Sequence, residues 1–105
     1  MLFHGLNSSV AHGIHIAQSF ADSGFIVVGF DHRGFGQSEG KKGFLENIEL
    51  HLEDSRTFAN KVTELYGKEF KYFLAGLSMG GMTSYRLSLE QPNRFAGAIL
   101  MAPAI

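Results

Sequence analysis

The chain has 105 residues, 45% of them hydrophobic and 18% charged, with a formal net charge of −1. That length allows one domain at most, and Lys41-Lys42, its largest basic cluster, is too small to attract nucleic acid. The absence of cysteine excludes disulfides, a thiolate metal site and a cysteine nucleophile. Four short apolar runs then alternate with longer periodic stretches. Met1–Phe3 reads as a first strand running into His4-Gly5. Val10–Ser23 follows as a helix, with Val10, Ile14, Ala17 and Ala21 on one face, Asn7, Ser8 and Ser9 as N-cap candidates and Gly24 as its stop. Phe25–Phe30 is continuously apolar, as expected of a parallel strand covered on both faces. Glu46–Tyr66 is the second helix, with Ile48, Leu52, Ala59, Val62 and Tyr66 sharing a face and Gly67 placed to end it. Phe70–Ala75 is the third strand, Met79–Gln91 the third helix, stopped by Pro92, and Phe95–Met101 the fourth strand.

Strand alternating with helix in this way predicts an α/β protein, a parallel sheet with right-handed crossovers and flanking helices. Ligands bind such sheets at the carboxyl ends of the strands. Three loops gather at that edge: His4–Asn7, Asp31–Gly43 and the turn at Ser78, each carrying glycines and polar residues. No apolar run approaches the ~20 residues that span a bilayer, and Met1–Gly5 lacks the basic and apolar regions of a leader. A cytoplasmic protein is therefore expected, with any membrane contact peripheral. Both ends of the chain read as core, so 1–105 is expected to be part of a larger domain.

The most informative residues are Gly76-Leu77-Ser78-Met79-Gly80. A G-x-S-x-G pentapeptide between a strand and a helix is a nucleophile elbow, a sharp turn that holds a serine oxygen at its tip. Glycines two residues either side of the serine remove side chains that would collide with nearby backbone. The template also fits Gly36-Gln37-Ser38-Glu39-Gly40, unsurprisingly in a chain with 13 glycines. Context separates the two, because only Ser78 has an apolar strand before it and a helix after it. The candidate nucleophile is Ser78, and the chemistry it points to is that of a serine hydrolase. Such chemistry calls for no cofactor and no metal.

Three motifs in register resemble the α/β-hydrolase superfamily, and within it the monoacylglycerol lipase and lysophospholipase group catalogued with serine-aminopeptidase-like (S33) hydrolases. They are Phe3-His4-Gly5-Leu6, Asp31-His32-Arg33-Gly34-Phe35-Gly36-Gln37-Ser38-Glu39-Gly40, and Gly76-Leu77-Ser78-Met79-Gly80-Gly81. The second, similar to that group's D-x-R-G-x-G-x-S-E-G loop, also accounts for the duplicate match at Ser38. The resemblance implies a partial three-layer α/β/α sandwich whose strands lie in the spatial order second, first, third, fourth. It implies that Ser78 attacks an acyl carbonyl, with the backbone N–H groups of Leu6 and Met79 as the oxyanion hole and Gly76 and Gly80 as the elbow glycines. The substrate it implies is a small acyl ester or lipid, of acylglycerol or lysophospholipid type.

The superfamily orders its triad as nucleophile, acid, histidine. All five histidines here precede Ser78, and Glu90 is the only acidic residue after it. The cap, acid and histidine segments are thus expected outside 1–105, and this stretch by itself is expected to be inactive. His4 and His32 are read as bonding their own loops, Arg33 as a loop-bracing ion pair, and Asp31 as a loop cap. Two alternatives stay open: a non-catalytic remnant or binding module of the same fold, and a peptidase, thioesterase or acyltransferase built on the same elbow.

Overall fold

A computed structural model describes residues 1–45 and 47–104 of the chain. Its named elements are β1 (Leu2–Phe3), α1 (Ile14–Asp22), α2 (Ile48–Tyr66), β2 (Phe73–Leu77), α3 (Met79–Glu90) and β3 (Gly97–Met101), with a 3₁₀ turn at Ala11–Gly13 leading into α1. The strands form one parallel sheet in the order β1-β2-β3. Register places Phe3 opposite Gly76 and Leu77 opposite Met101. Each pairing is separated by a helical crossover, as a parallel ladder requires.

The Phe25–Phe30 run departs from expectation. It makes a single parallel bridge, Gly29 to Leu2, with the Leu2 N–H donating to the Val28 carbonyl at 2.9 Å. It lies beyond β1, on the side away from β2, so the spatial order second, first, third, fourth holds, but the run forms no continuous strand. Phe25 and Ile26 are 50% and 57% exposed, so the run is not covered on both faces among the described residues. Glycine at position 29 contributes no side chain to pack, and its missing Cβ would sit 3.0 Å from the Leu2 carbonyl oxygen. The third strand is also shifted, beginning at Phe73 rather than Phe70 and running to Leu77.

Period-2 alternation sorts the sheet residues. Leu74 and Phe3 are fully buried and, with Leu87 of α3, form the core, onto which Met1, Phe30, Phe58 and Phe95 pack. Phe73, Leu77 and Ile99 remain partly exposed.

The helices begin and end as local chemistry directs. The Asn47 side-chain oxygen accepts from the Leu50 N–H at 2.7 Å and caps α2. Glu46, which the sequence places in this helix, lies outside the described residues. Gly67, with φ +83°, donates to the Thr63 carbonyl and closes the helix. The inner face of α2 is His51, Leu52, Ser55, Ala59 and Val62; Ile48, expected there, is 41% exposed.

The 3₁₀ turn and α1 correct a second expectation. Val10–Ser23 is not one continuous helix, and none of Asn7, Ser8 or Ser9 caps it through a side chain. The Val10 N–H is instead satisfied by Asp31 Oδ1 from another loop, at 2.7 Å. Val10 and Ile14 are exposed, while Ile16, Ala17 and Phe20 are half-buried.

Candidate active site at the carboxyl edge of the sheet

Ser78 stands at the junction of β2 and α3, the position where the sheet's topology gathers ligand-facing loops. Its backbone has φ +54° and ψ −112°, a conformation that costs a non-glycine residue of order 1–3 kcal/mol. The surrounding structure imposes it. The Ser78 N–H donates to the Met101 carbonyl at 2.9 Å, and its carbonyl receives the N–H groups of Met82 and Ala104 at 3.1 and 3.0 Å. The residue is exposed, and its side chain is not spent on capping α3.

Two glycines make the turn possible. A Cβ on Gly76 would lie 2.1 Å from the Gly80 carbonyl carbon and oxygen, and one on Gly80 would lie 1.9 Å from the Phe3 carbonyl oxygen. The α3 N-terminus therefore rests directly on the backbones of β2 and β1. Gly5 completes the approach: a Cβ there would stand 3.3 Å from the Leu77 carbonyl oxygen and 3.6 Å from Ser78 Cβ. The Gly5–Leu6 peptide is thus beside Ser78, and the Leu6 side chain points outward, 53% exposed. Met79, next after the serine, is buried in the first turn of α3.

Ser38, the duplicate match, is held differently. It lies in an irregular loop, and its hydroxyl donates to the Asp31 carbonyl. Asp31 organises this loop as a cap. Its carboxylate accepts from the N–H groups of Val10 (2.7 Å) and Gln37 (3.0 Å). Those two bonds, Gln37's first, hold its carboxyl below the usual range. Arg33 forks onto Asp54 of α2 through Nε (3.0 Å) and Nη2 (2.9 Å), bracing the loop against the helix.

Beneath these loops is a cluster of three buried histidines, packed tilted and edge-on, that the sequence does not announce. The rings of His4 and His32 are 4.1 Å apart, and those of His32 and His51 4.4 Å. His4 Nδ1 is 2.7 Å from the Gly5 carbonyl, and its Nε2 accepts the His32 backbone N–H at 2.9 Å. His51 Nε2 meets Thr83 Oγ1 at 2.7 Å, while that hydroxyl donates to the Met79 carbonyl at 2.9 Å. The Thr83 proton being committed, His51 Nε2 is the donor. The His32 ring, expected to bond its own loop, makes no hydrogen bond there. It packs against Phe3 and Phe30, and both its nitrogens lack a partner among the described residues. Burial pushes the His4 and His51 imidazoles down, and it pushes His32 down to about 2, with repulsion from His4 and His51 adding to it. All three rings are therefore neutral near pH 7. The spacing of His51 and Ser55 on a helix face hints that both turn inward, but no signal in the sequence pairs His51 with Thr83.

An apolar cavity of about 210 Å³ runs from the Gly5 loop between the sheet and α1, lined by Leu2, Ile14, Ala17, Leu77 and Met101 among others. A larger one, about 380 Å³, opens at the start of β1 and β2, lined by Phe25, Tyr66 and Phe73 among others, away from Ser78. Among the described residues no group of three or more His, Cys, Asp or Glu side chains is arranged to hold a metal ion. No helix there is long and apolar enough to cross a membrane.

The parallel sheet, its flanking helices and the glycine-lined turn into α3 define a partial three-layer sandwich of the α/β-hydrolase type. The chain belongs to the family described as serine aminopeptidase, S33, which matches residues 1–105, and within it to the monoacylglycerol-lipase and lysophospholipase-like group. It is 33% identical over 102 residues to a monoglyceride lipase of Rattus norvegicus, covering 97% of this chain and 33% of the relative. It is 30% identical over 105 residues to a monoacylglycerol lipase of Mycolicibacterium smegmatis, covering all of this chain and 37% of that protein. The crystal structure of Paleococcus ferrophilus monoacylglycerol lipase superposes with a TM-score of 0.83 at 30% identity, over 98% of this chain and 37% of that one. The chain thus spans about a third of the length of the curated relatives it matches.

Proposed function

We propose that the protein is a serine hydrolase that cleaves carboxylic esters through an acyl-enzyme on Ser78. The observation that carries this reading is the exposed serine held at φ +54° where β2 turns into α3, with glycine on both sides of it. Ser78 Oγ attacks the ester carbonyl carbon as its proton passes to a general base. The carbonyl electrons move to oxygen, and that oxyanion accepts hydrogen bonds from the Leu6 and Met79 N–H groups. Collapse expels the alcohol, which takes the proton back from the base, and water then releases the acid by the same path in reverse.

The base and its acid partner are assigned to residues outside 1–105, with a substrate-selecting cap. The three buried histidines support that assignment. His4 has both nitrogens engaged, His51 is bonded to Thr83, and His32 is sealed from solvent. The substrate class is taken as acylglycerol or lysophospholipid esters, because relatives named monoglyceride lipase and probable lysophospholipase L2 match nearly the whole chain.

The test is fluorophosphonate labelling of the protein expressed from its complete reading frame, followed by turnover of a monoacylglycerol. Ser78→Ala should abolish both. Ser38→Ala should only weaken labelling, by releasing the Asp31 loop. Labelling that survives Ser78→Ala overturns the assignment.

A further inference from the structure

The two contacts of His4 fix its tautomer from geometry alone. A carbonyl oxygen can only accept, so Nδ1, 2.7 Å from the Gly5 carbonyl, carries the proton. A peptide N–H can only donate, so Nε2, 2.9 Å from the His32 nitrogen, is bare. The carbonyl that His4 grips belongs to the Gly5–Leu6 peptide. In a planar trans peptide the C=O and N–H point in opposite directions, and no peptide bond described here is cis. Whatever holds the Gly5 oxygen therefore aims the Leu6 N–H.

The companion peptide, Ser78–Met79, is aimed among the described residues by backbone, through the Met82 and Ala104 N–H groups on the Ser78 carbonyl. Among the described residues the Gly5 carbonyl receives one backbone donor, Ser8, at a longer 3.2 Å. Its closer bond is the imidazole. His4 is itself immobilised, 8% exposed, with the His32 ring 4.1 Å and the Phe35 ring 6.1 Å away.

We propose that His4 is a positioning residue for the oxyanion hole: its Nδ1–H holds the Gly5 carbonyl and so points the Leu6 N–H at the developing oxyanion. The inference rests on the assignment of Ser78 and Leu6 made above. It concerns aim rather than contact, since His4 touches the substrate nowhere in this scheme.

Two substitutions separate the bonds. Asn at position 4 puts an amide N–H near the place of Nδ1 and gives up the acceptor for His32. Gln puts its amide near the place of Nε2 and gives up the donor to Gly5. In the protein expressed from its complete reading frame, with p-nitrophenyl butyrate as substrate, His4→Gln should lower kcat roughly tenfold to hundredfold, short of or near the loss from deleting a donor outright, with little change in KM. His4→Asn should lose less than about fivefold, because the aim survives. Equal kcat losses in the two variants, or losses confined to KM, overturn this inference while Ser78→Ala remains inactive. Turnover that survives Ser78→Ala overturns the nucleophile assignment and this inference with it. A second measurement needs no variant to fold: ¹⁵N-histidine NMR of the wild type should show His4 protonated at Nδ1 and bare at Nε2 at pH 7. The opposite tautomer, or a cation, overturns the proposal.

Discussion

Gly80→Ala should be among the most damaging single-methyl additions the fold can receive. Its Cβ would lie 1.9 Å from the Phe3 carbonyl oxygen, 2.6 Å from the Phe3 carbonyl carbon and 3.0 Å from the His4 carbonyl oxygen. All three are backbone atoms, so no rotamer change relieves the contact, and α3 must back away from β1 by more than 1 Å. Overpacking of this kind costs about 3 kcal/mol, at the upper end of its usual range. Alanine also favours a helix interior over glycine by about 1 kcal/mol, which leaves a net loss of about 2 kcal/mol. At roughly 2–4 °C per kcal/mol for a larger domain, the melting temperature of the protein expressed from its complete reading frame should fall by roughly 4–8 °C. Thermal and urea unfolding followed by circular dichroism measure this. Gly24→Ala serves as the comparison, since a Cβ there meets nothing within 4 Å and only the φ of +96° is strained. The shift should also slow fluorophosphonate labelling of Ser78, by up to about a hundredfold for a displacement near 1 Å. A Gly80→Ala protein that melts at or above the wild type, as helix propensity alone would give, refutes the close-approach reasoning.

Two further substitutions test the buried His32 and the partly exposed Asp31. His32 is pushed down to about 2 in the folded state, so below its ordinary value near 6.5 the unfolded chain binds the extra proton and the folded one does not. Stability should therefore fall as pH drops from about 6.5 toward 2, by up to about 1.4 kcal/mol per unit from this group. His32→Leu should remove that share of the slope in urea midpoints taken from pH 7 to pH 4, at little cost at pH 7 because the ring makes no hydrogen bond; an unchanged slope counts against the assignment. Asp31 behaves with the opposite sign. Its lowered value means that its stabilisation is full above the ordinary carboxyl range and lost as pH falls through the folded value. Asp31→Ala should cost about 1–2 kcal/mol at pH 7, and the gap to the wild type should narrow at pH 3. A gap that stays constant across that range would mean the carboxylate is not what the Val10 and Gln37 N–H groups rely on.

The sequence by itself determined the α/β class and the three helices to within a few residues, because each rests on a local periodicity or a stop signal, while the strand order came from the resemblance of its motifs to a known family. Gly67 ends α2 and Pro92 follows α3 for reasons contained in those residues. The Gly76–Gly80 pentapeptide likewise marks its own turn, since glycine is the residue that survives a backbone approach of 2.1 Å or less. What only the tertiary structure decided are the relations between distant segments. Phe25–Phe30 carries every strand preference, yet a strand needs partners along its length, and among the described residues it finds one at Gly29. Val10 seeks its acceptor not among the serines beside it but at Asp31, 21 residues on. His4 and His32 read as loop histidines, and nothing in the sequence brings His51 to them, because imidazole is ambivalent between water and core. The fold gathers them by bringing the end of β1, the Asp31 loop and α2 to one place, where two backbone groups fix the tautomer of His4 and the Thr83 hydroxyl that of His51.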